Sequence, residues 1–138
     1  MTHLGEVTAN IDRFRAANTS VLAVSQATPT VLAKFLQHSP QPFPVVCDPD
    51  RIAYRAFDLE RTSWLSFFHP VTVWEYLSLI VRGGKVRVPY RGEDVLQLGG
   101  DFVLDRTGNV VFEYRSRTAT DRPSIAALLA ATAATGYR

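Results

Sequence analysis

Cysteine is nearly absent from this sequence, which holds one cysteine, Cys47, among its 138 residues. A single cysteine excludes a disulfide within the chain, a Cys-rich zinc site and a redox pair of two cysteines. The three histidines, His3, His38 and His69, are scattered and lack the spacing of metal ligands. The sequence therefore predicts no metal centre.

An excess of charge of one sign is also lacking. Fifteen basic and 13 acidic residues give a formal net charge of +2. A protein that must bind nucleic acid usually carries a strongly basic face, so this balance predicts no nucleic-acid partner. The basic stretch at residues 82–91 could bind an anionic partner, but it is better interpreted as a solvated loop.

The sequence has no clear membrane or targeting segment. The first 15 residues include Glu6 and Asp12 and no apolar block, so they do not form a signal peptide. The most apolar stretch, residues 64–81, is interrupted by Pro70 and Glu75. It is only marginally long enough to span a bilayer. We expect a buried helical segment of a cytoplasmic protein, with a helix at a membrane surface as the alternative.

The apolar residues are patterned as alternating helices and strands. Leu4, Val7, Ile11 and Phe14 form one stripe of a helix over residues 2–17. Further helices are predicted after Thr28, Asp48 and Asp121, the second with Ile52, Ala53, Ala56 and Phe57 inward. Strands are predicted at residues 20–27, 45–47, 101–105 and 110–115, the last two as a hairpin. This order predicts an α/β sandwich with a mixed sheet.

Three blocks of sequence carry a resemblance to a known family. They are FPVVCDPDR at residues 43–51 followed by YRAF at 54–57; QLGGDFVLD at 97–105 followed by Gly108; and YRSR at 114–117 followed by Asp121 and Pro123. In this order they resemble the AhpC/TSA antioxidant, peroxiredoxin-like branch of the thioredoxin fold. The resemblance implies one domain over residues 1–138, a thioredoxin-like three-layer sandwich with a mixed sheet, and a helical insertion at about 61–95.

The same resemblance implies a function, and it implies that a strand and the reactive cysteine of the family are missing here. The family reduces hydroperoxides with a thiol, uses no metal or organic cofactor, and takes electrons from a thiol reductant such as thioredoxin. Its reactive cysteine lies between a central strand and the first helix, and residues 2–4 look like the stretch just after it. We therefore expect this chain to lack the central strand and the family nucleophile, through a misplaced start or as a shortened paralogue. A non-catalytic thioredoxin-fold interaction module is the alternative.

Cys47 is the only thiol that could replace the family nucleophile, and it is a weak candidate. A reactive cysteine needs electropositive surroundings, whereas Cys47 precedes the negatively charged Asp48. Unpaired cysteines are among the most buried residue types. We therefore expect Cys47 to be a buried, inert residue beside Val45 and Val46.

Other residues are expected near the implied active face. They are His3, Gln97, Gly99, Gly100, Arg115 and Arg117. The two glycines would let a substrate or partner backbone approach closely, or would simply form a turn. The two arginines alternate along a strand, and could hold an anion or form a solvated strand end.

The absent strand would leave two strand edges unpaired. Three outcomes are predicted. Residues 21–25 pair directly with residues 102–105, a second chain fills the gap by swapping or oligomerisation, or the product is poorly soluble.

Overall fold

A computed structural model describes residues 2–59, 97–118 and 120–134. The helical insertion predicted at about 61–95 lies outside these ranges. No helix among the described residues is long and apolar enough to cross a membrane.

Two short helices, α1 (His3–Ala9) and α2 (Ile11–Ala16), replace the single helix predicted at the start of the chain. Asn10 separates them, and its side-chain amide donates to the Glu6 carbonyl at 2.9 Å. Asparagine competes for backbone hydrogen bonds in this way, which favours helix ends over helix interiors. The predicted apolar stripe is nevertheless confirmed, because Val7 and Phe14 are buried in the core.

Strands β1 (Ala23–Ser25) and β2 (Val45–Cys47) form a parallel two-stranded sheet. The register places Ala23 opposite Val45 and Ser25 opposite Cys47. Helix α3 (Pro29–His38) connects the two strands and begins after Thr28, with proline in its first turn as predicted. Strand β1 is shorter than the predicted strand over residues 20–27.

Helix α4 (Ile52–Ala56) follows β2 and is held at its start by Asp48. The Asp48 carboxylate accepts from the backbone N–H groups of Ile52 and Ala53, each at 2.8 Å. The predicted inward face is wrong in two positions, since Ile52 is 63% exposed and Ala56 is also exposed. Ala53 and Tyr54 of this five-residue helix, and Phe57 just after it, are half-buried and turn towards the protein.

The predicted hairpin is confirmed as β3 (Gly100–Leu104) and β4 (Val110–Arg115). The Asp105 carboxylate accepts from the backbone N–H groups of Thr107 and Asn109 at 2.9 Å each, which closes the turn. Gly108 in this turn has φ = 87°, a left-handed conformation that glycine adopts without steric cost. Helix α5 (Ile125–Ala134) then returns to the core and buries Leu128.

A single apolar cluster joins these elements. Its buried members are Val7, Phe14, Phe43 and Leu128. Half-buried residues of both sheets pack against it, including Val45 of β2 and Val103 of β3. The architecture is therefore α/β with small sheets, as expected for a thioredoxin-like fold.

The predicted direct pairing of residues 21–25 with residues 102–105 is wrong for the described chain. Strand β1 pairs with β2, and β3 pairs with β4, in two separate sheets. Side-chain contacts link the end of α4 to the hairpin instead. The Phe57 ring, just after α4, packs on Phe102 with ring centroids 4.5 Å apart. The Arg115 Nε donates to the Phe57 carbonyl at 3.0 Å.

Candidate functional site

His3 and Asp101 form a close pair between α1 and the hairpin. The Nε2 atom of His3 lies 2.6 Å from Oδ1 of Asp101, and both side chains are mostly buried. Thr2 fixes the start of α1 by accepting from the Gly5 N–H at 3.3 Å, which places His3 in the first turn. Nδ1 of His3 is buried and has no hydrogen-bond partner among the described residues. Buried polar atoms are nearly always paired, so this nitrogen is an exception among the described residues.

Gly99 and Gly100, which the sequence analysis expects near the active face, lie immediately before Asp101. A Cβ on Gly100 would lie 2.8 Å from the Tyr114 carbonyl oxygen and 2.7 Å from Leu59. The Gly99 carbonyl accepts from the Ser116 N–H at 3.0 Å, which extends the hairpin by one bond. This close packing explains the glycine at position 100 without any ligand. Close approach of a substrate or partner backbone and a simple turn therefore both stay predictions for this glycine pair.

Arg115 is engaged by the protein itself. It lies opposite Gly100 in the hairpin and contacts Phe57 through its Nε. Its Nη1 lies 3.1 Å from the Glu113 carboxylate, and its guanidinium stacks over Phe102 at 5.5 Å. Arg115 therefore acts as a link between α4 and the hairpin.

Gln97 lies just before β3 and Arg117 just after β4, both at the open end of the hairpin. The Gln97 side-chain amide donates to the Leu59 carbonyl at 3.2 Å. Arg117 is exposed, and its backbone N–H donates to Asp121 at 2.8 Å. Both residues help to hold the segments that flank the candidate site.

Arg122 was missed by sequence reasoning, although it lies between the quoted residues Asp121 and Pro123. Its Nη1 donates to the hydroxyl of buried Ser116 and, at 2.8 Å, to the Asp121 carbonyl. Its Nη2 lies 3.1 Å from where a Cβ on Gly99 would stand. Nothing in the spacing of Gly99 and Arg122 along the chain signals this contact. The hairpin and the loop at residues 116–122 create it.

Asp121 anchors that loop. Its carboxylate accepts from the Tyr114 hydroxyl and from the Arg117 N–H. These hydrogen bonds, with the Tyr114 bond contributing most, hold the pKa of Asp121 below its usual range. The same bond to Asp121 raises the pKa of Tyr114. Asp121, next to Arg122, is therefore tied to the end of β4 and to Arg117.

Tyr54 links α4 to strand β1. Its hydroxyl donates to the Val24 carbonyl on β1 at 3.2 Å. Burial raises the pKa of the Tyr54 phenol, and the charge of Asp48 acts in the same direction, while a bond from Gln26 and the charge of Arg122 oppose them. The phenol is thus protonated at neutral pH and lies within electrostatic range of Arg122.

Cys47 lies at the end of β2, and the expectation that it is buried is wrong, because the residue is exposed. The sheet that carries it has only two strands, so β2 has a neighbour on one side alone among the described residues. Val46 beside it is exposed as well. The described contacts do not bring Cys47 to the His3–Asp101 pair.

The arrangement suggests two kinds of chemistry. An imidazole held at one nitrogen by a carboxylate can accept or deliver a proton at the other nitrogen. A half-buried guanidinium can bind an anion. Within residues 2–59, 97–118 and 120–134, no three His, Cys, Asp or Glu side chains come together as a metal site.

Comparisons with known proteins bear on the fold and the family. The family model described as AhpC/TSA antioxidant enzyme matches residues 6–118. A search of curated proteins gave no match to this chain. The matched range covers most of the sequence and includes β1, β2 and the hairpin. The chain therefore belongs to the AhpC/TSA antioxidant enzyme family.

Proposed function

We propose that this chain is a peroxiredoxin-like thiol antioxidant domain, of a family that reduces hydroperoxides, and that these 138 residues do not turn peroxide over at a family-like rate. Family membership supports the redox assignment. The surroundings of the only thiol support the second part.

Cys47 is poorly suited to be a peroxidatic cysteine. The attacking species is the thiolate, and cysteines that form it readily lie next to Lys, Arg, His or a metal. Cys47 is exposed on the edge strand β2 and is followed by Asp48, whose carboxylate caps α4. No described contact brings a Lys, Arg or His side chain to the Cys47 thiol.

The observation that carries the proposal is the His3–Asp101 pair beside Gly99 and Gly100. The family resemblance puts the reacting thiol next to the start of the first helix, and this is where a histidine with an unpartnered, buried nitrogen is found. Reduction of a hydroperoxide by two thiols yields a disulfide, an alcohol and water. It needs a base to take the first thiol proton and an acid to protonate the leaving oxygen.

The assay is peroxide consumption with a thiol donor, measured for the wild-type chain and for Cys47→Ser. We expect both proteins to consume peroxide at the rate of the donor alone. Fast turnover that is abolished by Cys47→Ser would show instead that the nucleophile has moved to Cys47, and would contradict this assignment.

The reductant and the compartment follow from the same proposal. A thiol protein such as thioredoxin is the proposed electron donor, and the cytoplasm, where thiols stay reduced, is the proposed location. No metal or organic cofactor is required for this chemistry.

A non-catalytic interaction module is the second candidate, and one surface favours it. Leu22, Val24 and Val46 are 60%, 38% and 43% exposed, and Val24 lies opposite Val46 on one side of the β1–β2 sheet. Exposed apolar patches often mark interaction sites. Light scattering would test it, because Val46→Lys should then reduce self-association or binding of a partner chain. A wild-type protein that is monomeric at high concentration would argue against self-association.

A further inference from the structure

Arg122 has an unusual set of partners for a half-buried guanidinium. Both of its hydrogen bonds, to Ser116 and to the Asp121 carbonyl, use Nη1. Among the described residues, Nε and Nη2 have no hydrogen-bond partner and no carboxylate within ion-pair distance. Arginine is seldom buried without pairing, since its charge loses water on one side.

The surroundings of Arg122 are shaped for that guanidinium. Gly99 has no side chain, and Nη2 occupies the space that a Cβ there would approach to 3.1 Å. Ser116, which fixes Nη1, is buried with 5% exposure, and its N–H is bonded to Gly99. The guanidinium is therefore held between the backbone at Gly99 and at Ser116. Nε and Nη2 have no hydrogen-bond partner among the described residues.

We propose that Arg122, seated against Gly99 and Ser116, is a binding site for a carboxylate. A carboxylate accepts two parallel N–H bonds from one edge of a guanidinium, and Nε with Nη2 forms such an edge. One cation suits one negative charge. A dianion is disfavoured because the charge of the Asp121 carboxylate already interacts with the same guanidinium.

The site lies close to the His3–Asp101 pair along the chain. Asp101 follows Gly99 by two residues, a distance of about 7 Å in an extended strand. On the proposed function, on which this step rests, the ligand is a carboxylate-bearing thiol or hydroperoxide, which these 138 residues would bind without turning it over. The binding step itself can be measured without any turnover.

The test uses the full chain labelled with ¹⁵N in a buffer free of carboxylates and phosphate. Sodium propionate is titrated against propionamide, its neutral counterpart, and against inorganic phosphate. We expect a saturable shift of the Arg122 Nε–H and Gly99 N–H signals with propionate, and none with propionamide. Tighter binding of phosphate than of propionate would overturn the carboxylate assignment, and equal shifts with propionamide would overturn an anion site altogether.

Variants locate the binding. Loss of one charge-assisted pair in Arg122→Gln should weaken propionate binding about ten- to hundredfold. Arg13→Gln removes the same charge from an exposed position on α2, where the side chain donates to Asn10, and should change propionate affinity less than twofold. Unchanged binding in Arg122→Gln, or an equal loss in Arg13→Gln, would refute the site.

A third variant keeps the test valid where Arg122→Gln fails to fold. Gly99→Ala presses only on the flexible end of the Arg122 side chain, so the fold is expected to tolerate it. Displacing the guanidinium by a few tenths of an ångström should weaken propionate binding several-fold. Full affinity in Gly99→Ala would contradict a site formed by Arg122 against Gly99. Because propionate binding is read without peroxide, the site and the redox function can fail separately.

Discussion

Removing the Asp48 carboxylate should destabilise the protein through the start of α4. Three backbone N–H groups converge on it, those of Ile52 and Ala53 at 2.8 Å and that of Tyr54 at 3.4 Å. Loss of a helix cap costs about 0.5–2 kcal/mol, and two short charge-assisted bonds place Asp48 in the upper half of that range. We expect Asp48→Ala to lower the free energy of unfolding by about 1–2 kcal/mol.

The expected change in melting temperature is a fall of about 3–10 °C, given the size of this domain. Thermal unfolding followed by circular dichroism would measure it. Asp48→Asn keeps a capping oxygen without the charge and should lose less than half as much. Asp50→Ala removes a neighbouring carboxylate that caps nothing among the described contacts and should stay within about 0.5 kcal/mol of wild type. An Asp48→Ala protein as stable as the wild type, or a matching loss in Asp50→Ala, would refute the reasoning.

Two further predictions concern the hairpin. Gly100→Ala should cost about 1–3 kcal/mol in urea unfolding, because its Cβ would press on the Tyr114 carbonyl, whereas Gly99→Ala meets only a flexible side chain and should cost less. An equal loss in the two variants would contradict this. Asp121 has a lowered pKa, so its stabilising effect is present above the ordinary value near 3.8 and is lost as the pH falls through its folded-state pKa. Asp121→Asn should therefore destabilise the protein at pH 7 and have less effect at pH 3, which urea unfolding at both pH values would check.

Sequence patterns were sufficient for the elements that depend on local signals. The stripe of Val7 and Phe14, the proline at the start of α3 and the Asp105 turn each rest on a spacing or a residue type with a direct physical consequence. Asn10 interrupts the first helix because its side chain bonds the helix backbone. That competition is not visible in an apolar periodicity.

Contacts between distant segments could not be predicted in the same way. His3 and Asp101 are 98 positions apart in sequence, and the resemblance suggested only that His3 was worth testing. Arg122 meets Gly99 because a hairpin and a seven-residue loop bring them together. The exposure of Cys47 depends on what covers the face of the β1–β2 sheet, which its own apolar neighbours do not indicate.

We propose that the redox chemistry of this fold takes place at the start of α1, beside His3 and Asp101, and not at Cys47. The most direct measurement is the rate at which hydrogen peroxide consumes the thiol in wild type and in a Thr2→Cys, Cys47→Ser double variant. A positioned base accelerates proton transfer by about 10²–10⁴-fold, so the thiol introduced next to His3 should react at least about tenfold faster than Cys47. Adding His3→Gln should remove that advantage. A thiol at position 2 that reacts no faster than Cys47 would contradict the claim.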